Sequence, residues 1–204
     1  MKSPHLLGIA GPSCSGKSTL ARAVAAHYVA LDPIVLPMDA YYRDLSGLSI
    51  EERAAVNFDS PEAFEHELLL GQVRDLAAHR PVSMPVYDFT THTRAGTRPV
   101  HWTGRLLVVE GILTLHWPML NALFDSRVYV DLDDATALAR RIARDTRERG
   151  RTPESVAKQF QESVTPMADA HCRPSRAAAH RVLDGSGAPE ALAGELRDWL
   201  AARI

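Results

Sequence analysis

Cysteine is scarce in this chain. Its 204 residues hold only Cys14 and Cys172. Neither falls in a CxxC pair or in a Cys/His cluster with metal-ligand spacing, which argues against a disulfide framework and against a structural zinc site. Two isolated thiols fit a reducing, cytoplasmic setting. Long apolar runs are missing as well. No segment approaches 18 apolar residues, and the opening MKSPHLLGIAG has too short an apolar stretch for a signal peptide, so no membrane partner is expected. Charge of one sign is also absent. Lys and Arg total 23 against 25 Asp and Glu, for a formal net charge of -2, and no basic stripe marks a nucleic-acid partner. No internal repeat or low-complexity linker divides the chain, so residues 1–204 are read as a single domain. What remains is ordinary globular composition, 46% hydrophobic and 24% charged, enough to build a core.

Strand and helix signals alternate. HLLGIA (5–10), PIVLP (33–37), RLLVVEGIL (105–113) and RVYVDLD (127–133) are short and continuously apolar, and AHRVLDG (179–185) supplies a last strand. Between them, helical periodicity runs over 18–28, 134–149 and the closing APEALAGELRDWLAARI. SPEAFEHELLLGQVRDLAAH and TPESVAKQFQESVTPMADAH each open on a hydroxyl residue followed by Pro, the signature of a helix start at Pro61 and at Pro153. Residues 80–103 are polar and rich in Pro, Thr and His, and read as surface strands and loops. Apolar strands separated by helices predict an α/β fold with a parallel sheet covered on both faces.

The sharpest motif is GIAGPSCSGKSTL, residues 8–20. Gly11, Gly16, Lys17 and Ser18 satisfy GxxxxGK[ST] between a strand and a helix, the context a P-loop requires. Glycines let the loop wind so that successive amides face inward. The helix that follows adds unpaired N–H groups and the positive end of its dipole. The segment Gly11, Pro12, Ser13, Cys14, Ser15, Gly16, Lys17, Ser18 and Thr19 is therefore the expected ATP-binding loop. Lys17 would reach the β and γ phosphates, and the Ser18 hydroxyl would ligate Mg²⁺. Cys14 is read as a small loop residue rather than a nucleophile.

Ligands of open α/β sheets lie beyond the carboxyl ends of the strands. Asp39, Glu110 and Asp131 fall there. Glu110 suits the magnesium shell, with Asp39 beside it in the metal-binding set, and Asp39 also suits a base aimed at an acceptor hydroxyl. Asp131 in DLDDA reads better as the cap of the helix at 134. That helix carries Arg140, Arg141, Arg144, Arg147 and Arg149, followed by Gly150 and Arg151. Arginines next to a glycine break suit a lid near 140–160 that closes over phosphates, excludes water and neutralises charge on the transferring group. Arg144, Arg149 and Arg151 are assigned to that lid. Arg140 and Arg147 are read as a solvated face; the alternative to the lid is a solvated arginine-rich helix with i,i+4 partners such as Arg141–Asp145 and Arg144–Glu148. No NKxD string reads guanine, and the chain is short for a motor or transport ATPase.

Beyond the P-loop, the strings MDAYYR (38–43), NFDSPEAF (57–64), MPVYDFTTHTR (84–94), VVEGIL (108–113), VDLDDATALARRIARDTRERGR (130–151) and VAKQF (156–160) stand in order. Over roughly residues 6–175 the chain resembles the uridine kinase (uridine–cytidine kinase) family of P-loop nucleoside kinases. The resemblance implies phosphorylation of uridine or cytidine by ATP with Mg²⁺ to give the 5′-monophosphate. It implies Asp39 as the base, with Tyr42 close by; Asp59 and Arg141 on the ribose hydroxyls; Phe58 and Tyr87 around the pyrimidine; and His92, Arg151 and Gln159 on its polar edge. Lys17, Arg144 and Arg149 would grip the ATP phosphates. It also implies a small β-rich flap near 81–103 over the nucleoside, and a homo-oligomer, with tetramers common among related enzymes. Past VAKQF the chain departs from the pattern. QESVTPMADAHCRPS is one residue longer before its proline, Phe160 replaces a common tyrosine, and the late strand reads AHRVLDGSG, so no adenine contacts are assigned. Two rival readings remain open: a kinase for another hydroxylated acceptor such as a phosphorylated pentose, and an ATP-binding regulator without phosphotransfer.

Overall fold

The computed structural model describes residues 3–204. Five short strands form a parallel sheet in the order β2 (Pro33–Pro37), β5 (Leu106–Glu110), β1 (His5–Ala10), β6 (Ser126–Asp131) and β7 (Arg181–Asp184). The register sets Leu7 opposite both Val108 and Ser126, which places β1 at the centre. Neighbouring residues of the apolar strands point to opposite faces, and both faces are dry. Leu7, Ile9, Leu106, Val108, Val128 and Val130 pack under α1 (Lys17–His27) and α8 (Pro189–Ala201) through Leu20, Val24, Leu192, Leu196 and Leu200. Leu6, Leu107, Val109 and Tyr129 face the other way, toward α3 (His66–Ala77) with Leu69, Val73 and Leu76. Full burial of one such side chain is worth about 1.5–3 kcal/mol. A strand buried on both sides has no polar alternation to show, which is why these strands read as unbroken apolar runs.

The polar stretch before β5 is a single antiparallel hairpin. β3 (Val82–Asp88) pairs with β4 (Thr93–Val100), with a register shift between Val86 and Tyr87. Val82, Met84 and Val100 bury one side of the hairpin against the α3 face of the sheet. Arg94 ties its far end to the body, donating through Nη2 to Glu65 Oε2 at 2.8 Å and to the Tyr42 carbonyl at 3.0 Å.

Local signals decided several boundaries and failed at one. Thr152 caps α6 (Pro153–Gln159), its side chain accepting from the Ser155 amide. Ser60 and Pro61, by contrast, open only a 3₁₀ turn over Pro61–Ala63, and the Ser60 side chain caps nothing. Phe64 turns extended there to lie against Tyr42, their rings stacked at 4.4 Å, and α3 begins at His66. Burial of Phe64 thus overrides the start signal. At α5 (Asp134–Arg149) the cap is Asp133, whose side chain accepts from the Thr136 amide. Asp131, two residues earlier, instead pairs with Arg176 at 3.3 Å. The helical path after α6 runs on through π turns at Phe160–Val164 and Ala168–Cys172, separated by the short α7 (Thr165–Met167). Remaining short helices are α2 (Ile50–Ala54) and α4 (Pro118–Asn121). No helix among the described residues is long and apolar enough to cross a membrane.

Candidate active site

The loops after β1, β2 and β7 and the end of β5 all emerge at one edge of the sheet, where a cleft of about 1270 Å³ opens. The P-loop forms its floor. Gly11 has φ +152°, and a Cβ there would meet the Val130 carbonyl oxygen at 2.3 Å. Gly16, at φ +95°, delivers the chain into α1. Both positions need glycine, one for close approach and both for backbone angle. Cys14 also takes the left-handed region, at φ +64°, a conformation that costs a residue with a Cβ roughly 1–2 kcal/mol. The start of α1 carries no side-chain cap and no acid in its first turn. Its free amides and dipole are left to an external anion. Lys17 is buried and donates from Nζ to the Pro12 carbonyl at 3.2 Å.

Three carboxylates face this floor. Asp39 stands on the 3₁₀ turn Met38–Tyr41 directly after β2. Its carboxyl is held above the usual carboxylate range, chiefly by desolvation, with Lys17, Arg149 and Arg144 pulling the other way. Glu110 ends β5, is buried, and accepts from Ser18 Oγ at 2.9 Å through Oε2. Burial raises it too, against Lys17, and Asp39 raises it further. Asp59 is raised by burial, opposed first by Arg141. Ser18, Glu110 and Asp39 offer only oxygen donors, a hydroxyl and two incompletely neutralised carboxylates. That chemistry fits a hard divalent cation such as Mg²⁺.

One wall of the cleft is aromatic. Tyr42 lies 5.2 Å from Phe58 and 5.3 Å from Tyr87, centroid to centroid, and Phe58 stacks on His92 at 4.6 Å. The Tyr87 hydroxyl is buried without a hydrogen-bond partner, and burial pushes its pKa up to about 12, so it is a protonated donor at neutral pH. His92 sits in the β3–β4 turn at φ +54°. Its pKa is lowered by desolvation first and then by Arg149, which favours the neutral ring. The Asp59 amide donates to Asn57 Oδ1 at 3.1 Å, and that oxygen also accepts from Ser163 Oγ at 3.1 Å. Asn57 thereby fixes Asp59 to the helical segment opposite.

The facing wall is α5 and α6. Arg141, Arg144, Arg149, Arg151 and Gln159 all line the cleft. Arg141 donates to Ser13 Oγ at 3.0 Å and to Gln159 Oε1 at 3.3 Å, and Arg151 donates to the same Gln159 oxygen at 2.6 Å. Two guanidinium donors fix that amide, leaving its NH₂ free to donate. The structure corrects one sequence expectation here. Arg140 is no solvated face residue. It donates to the Gly185 carbonyl at 2.8 Å and to the Cys14 and Ser186 carbonyls at 3.4 Å, tying the P-loop to the loop after β7. Arg144 does not pair with Glu148. Its Nε donates to Asp145 Oδ1 at 2.8 Å, while Glu148 pairs with Arg147. Arg147 is exposed as expected. Arg141–Asp145 does form, at 3.7 Å, but around a carboxylate with no exposed surface. The cleft extends past the P-loop to Gly185, Gly187, Pro189 and Leu192, a region with no motif to announce it.

With this arrangement in view, the comparisons decide the family. A profile of the Phosphoribulokinase / Uridine kinase family matches residues 6–188. The chain belongs to that family. Uridine kinase from Streptococcus mutans is 39% identical over 175 residues, spanning 86% of this chain and 84% of the relative. Uridine kinase from Geobacillus kaustophilus is 39% identical over 186 residues, 91% and 88% of the two chains. Among solved structures, phosphoribulokinase from Rhodobacter spheroides superposes with a TM-score of 0.68 at 18% identity, covering 93% of this chain and 74% of that one. The last likeness establishes the shared fold only. Family membership makes the chain a P-loop kinase that uses ATP.

Proposed function

We propose that the protein transfers the γ-phosphoryl group of ATP to the 5′-hydroxyl of uridine or cytidine. The observation that carries this reading is the position of Asp39. It lines the cleft between the P-loop Lys17 and the arginines of α5 on one side and the Tyr42–Phe58–Tyr87 wall on the other. A nucleoside against the aromatic wall would present its sugar alcohol to Asp39, and a triphosphate on the P-loop would present its terminal phosphorus.

Phosphoryl transfer asks the protein for positioning and charge stabilisation, with little covalent chemistry. The P-loop amides and Lys17 hold the β and γ phosphates, and Arg144 and Arg149 neutralise charge as it spreads on the moving group. Asp39 accepts the proton of the 5′-hydroxyl. Ser18 and Glu110, with Asp39 alongside, would hold Mg²⁺, which would supply charge neutralisation for the triphosphate when bound. Asp59 and Arg141 anchor the ribose hydroxyls, a polar pairing that discriminates against analogues lacking them. The free NH₂ of Gln159 suits the O2 carbonyl that uracil and cytosine share, and Arg151 donates beside it. A neutral His92 can donate or accept according to tautomer, so it accommodates the carbonyl of uracil or the amine of cytosine at position 4. Gly185, Gly187, Pro189 and Leu192 extend the phosphate floor toward the ATP base. The β3–β4 hairpin acts as the flap and α5–α6 as the lid. Homo-oligomeric assembly and a cytoplasmic location are proposed with this reading, on the family alone.

Two outcomes test it. His92→Ala is expected to raise KM for uridine and cytidine about tenfold, the equivalent of ~1.4 kcal/mol, with KM for ATP changed less than threefold, in initial-rate assays. Both KM values at the wild-type level would remove His92 from the base site. An acceptor panel with ATP and Mg²⁺, read by ADP release, should show turnover stimulated by uridine or cytidine. Stimulation by a phosphorylated pentose alone would transfer the site to that substrate class, and ATP binding without stimulation by any acceptor would make the chain a regulator.

A further inference from the structure

Asp145 lies behind the arginine wall and has no exposed surface. Four guanidinium groups surround it. Arg144 Nε is 2.8 Å from Oδ1, Arg149 Nη1 is 3.7 Å from the same oxygen, and Arg141 Nε and Arg151 Nη1 lie 3.7 and 3.6 Å from Oδ2. All four arginines reach the cleft, and Asp145 does not. Its backbone carbonyl also closes α5, accepting the Arg151 amide at 3.2 Å. Oδ2 and Arg141 Nε are both buried and make no hydrogen bond. Burying a carboxylate is costly, and such pairs are weak contributors to stability. Asp39, Asp59 and Glu148 act on Arg141, Arg144 and Arg149 from the cleft side, whereas Asp145 holds the set from behind. The planar fork of an arginine bound through Nε has its remaining N–H groups fixed in direction, and Arg144 lines the cleft.

We infer that Asp145 is a positioning residue for phosphoryl transfer, a buried carboxylate that aligns Arg144 on the phosphate being transferred. This inference rests on the kinase reading above. It has a signature that a stabilising ion pair lacks. Removing the carboxylate raises the positive charge facing the phosphates, which strengthens ground-state attraction. It also releases the alignment on which the transition state depends. Rate and affinity therefore separate.

Asp145→Asn keeps the side-chain volume and tests this directly. The expected result is kcat lowered about 100-fold, with the Kd for MgATP and for inorganic tripolyphosphate, measured by calorimetry without acceptor, unchanged within threefold or tightened. Because Asp145 acts through Arg144, the double variant Arg144→Gln/Asp145→Asn should be no slower than Arg144→Gln alone. A kcat within threefold of wild type, or affinity weakened as much as kcat, would overturn the inference. If Asp145→Asn does not fold, Arg144→Lys carries the test, since it keeps the charge and loses the planar fork. The same separation of kcat from affinity supports the alignment role, and a parallel loss of both rejects it. The rate is read on whichever acceptor the wild type phosphorylates, so a different acceptor leaves this test intact. A wild type inactive on every acceptor refutes the kinase reading itself.

Discussion

Asp39→Asn is expected to lower kcat by roughly 10²–10⁴-fold, the usual worth of a positioned general base. Asparagine keeps the shape and cannot accept the proton. Two further signatures follow from the desolvation of this group. The active form is the ionised carboxylate, and its pKa is displaced above the ordinary carboxylate range. The acidic limb of kcat/KM for the nucleoside that reports this group should vanish in the variant. Stability moves the other way. A carboxyl whose folded pKa is raised above its unfolded value contributes stability below the unfolded pKa, and loses it as pH rises through the folded pKa. At neutral pH the ionised Asp39 is thus a net cost to the ligand-free fold. The variant should melt higher than wild type at pH 7, with the difference fading on acidification toward pH 3. Near-normal turnover would refute the base assignment, and a lower melting temperature would refute the account of its burial.

Lys17→Ala ranks second, with kcat expected to fall about 10²–10³-fold, the loss typical of one donor to a charged transition state. The fold should survive. In the ligand-free protein the Lys17 ammonium contacts the Pro12 carbonyl, which also accepts the Ser15 amide at 3.2 Å, so its removal does not strand that oxygen. Native-like circular dichroism would accompany the lost activity, with a lowered melting temperature at pH 7, because Lys17 offsets the buried Asp39 and Glu110 carboxylates. Collapse of the fold would instead mean that the lysine serves mainly to hold the loop together.

What the sequence disclosed, and what it hid, follows from where each signal resides. Strands such as LLVVE, buried on both faces, announce themselves as apolar runs, and the P-loop is legible because backbone angle and charge both constrain its residue types. Family strings alone assign Asp39, Asp59, Tyr87, His92 and the α5 residues Arg141, Arg144 and Arg149 to one site, and all of them line one cleft. The order of the sheet, β2-β5-β1-β6-β7, is set by long-range packing and has no local trace. Spacing alone pairs Arg141 with Asp145 on a solvated face. Only the packing of α6 and the following π turn against α5, through Ala137, Phe160 and Val164, turns that pair into a buried hub. Arg140 reads from the sequence as a solvated face because its partners are backbone carbonyls 126 and 45 residues away, which leave no local trace. Asn57 was visible within NFDSP, yet its link to Ser163 depends on the same folded-back segment.

The central claim concerns one alcohol and one carboxylate, and a crystal of the wild-type protein with a non-hydrolysable ATP analogue, Mg²⁺ and uridine measures it directly. The account predicts the triphosphate on the Gly11–Thr19 loop and the uridine 5′-oxygen at hydrogen-bonding distance from Asp39, about 2.6–3.2 Å, in line with the terminal phosphorus. A triphosphate bound elsewhere, or a 5′-oxygen out of reach of that carboxylate, would contradict it.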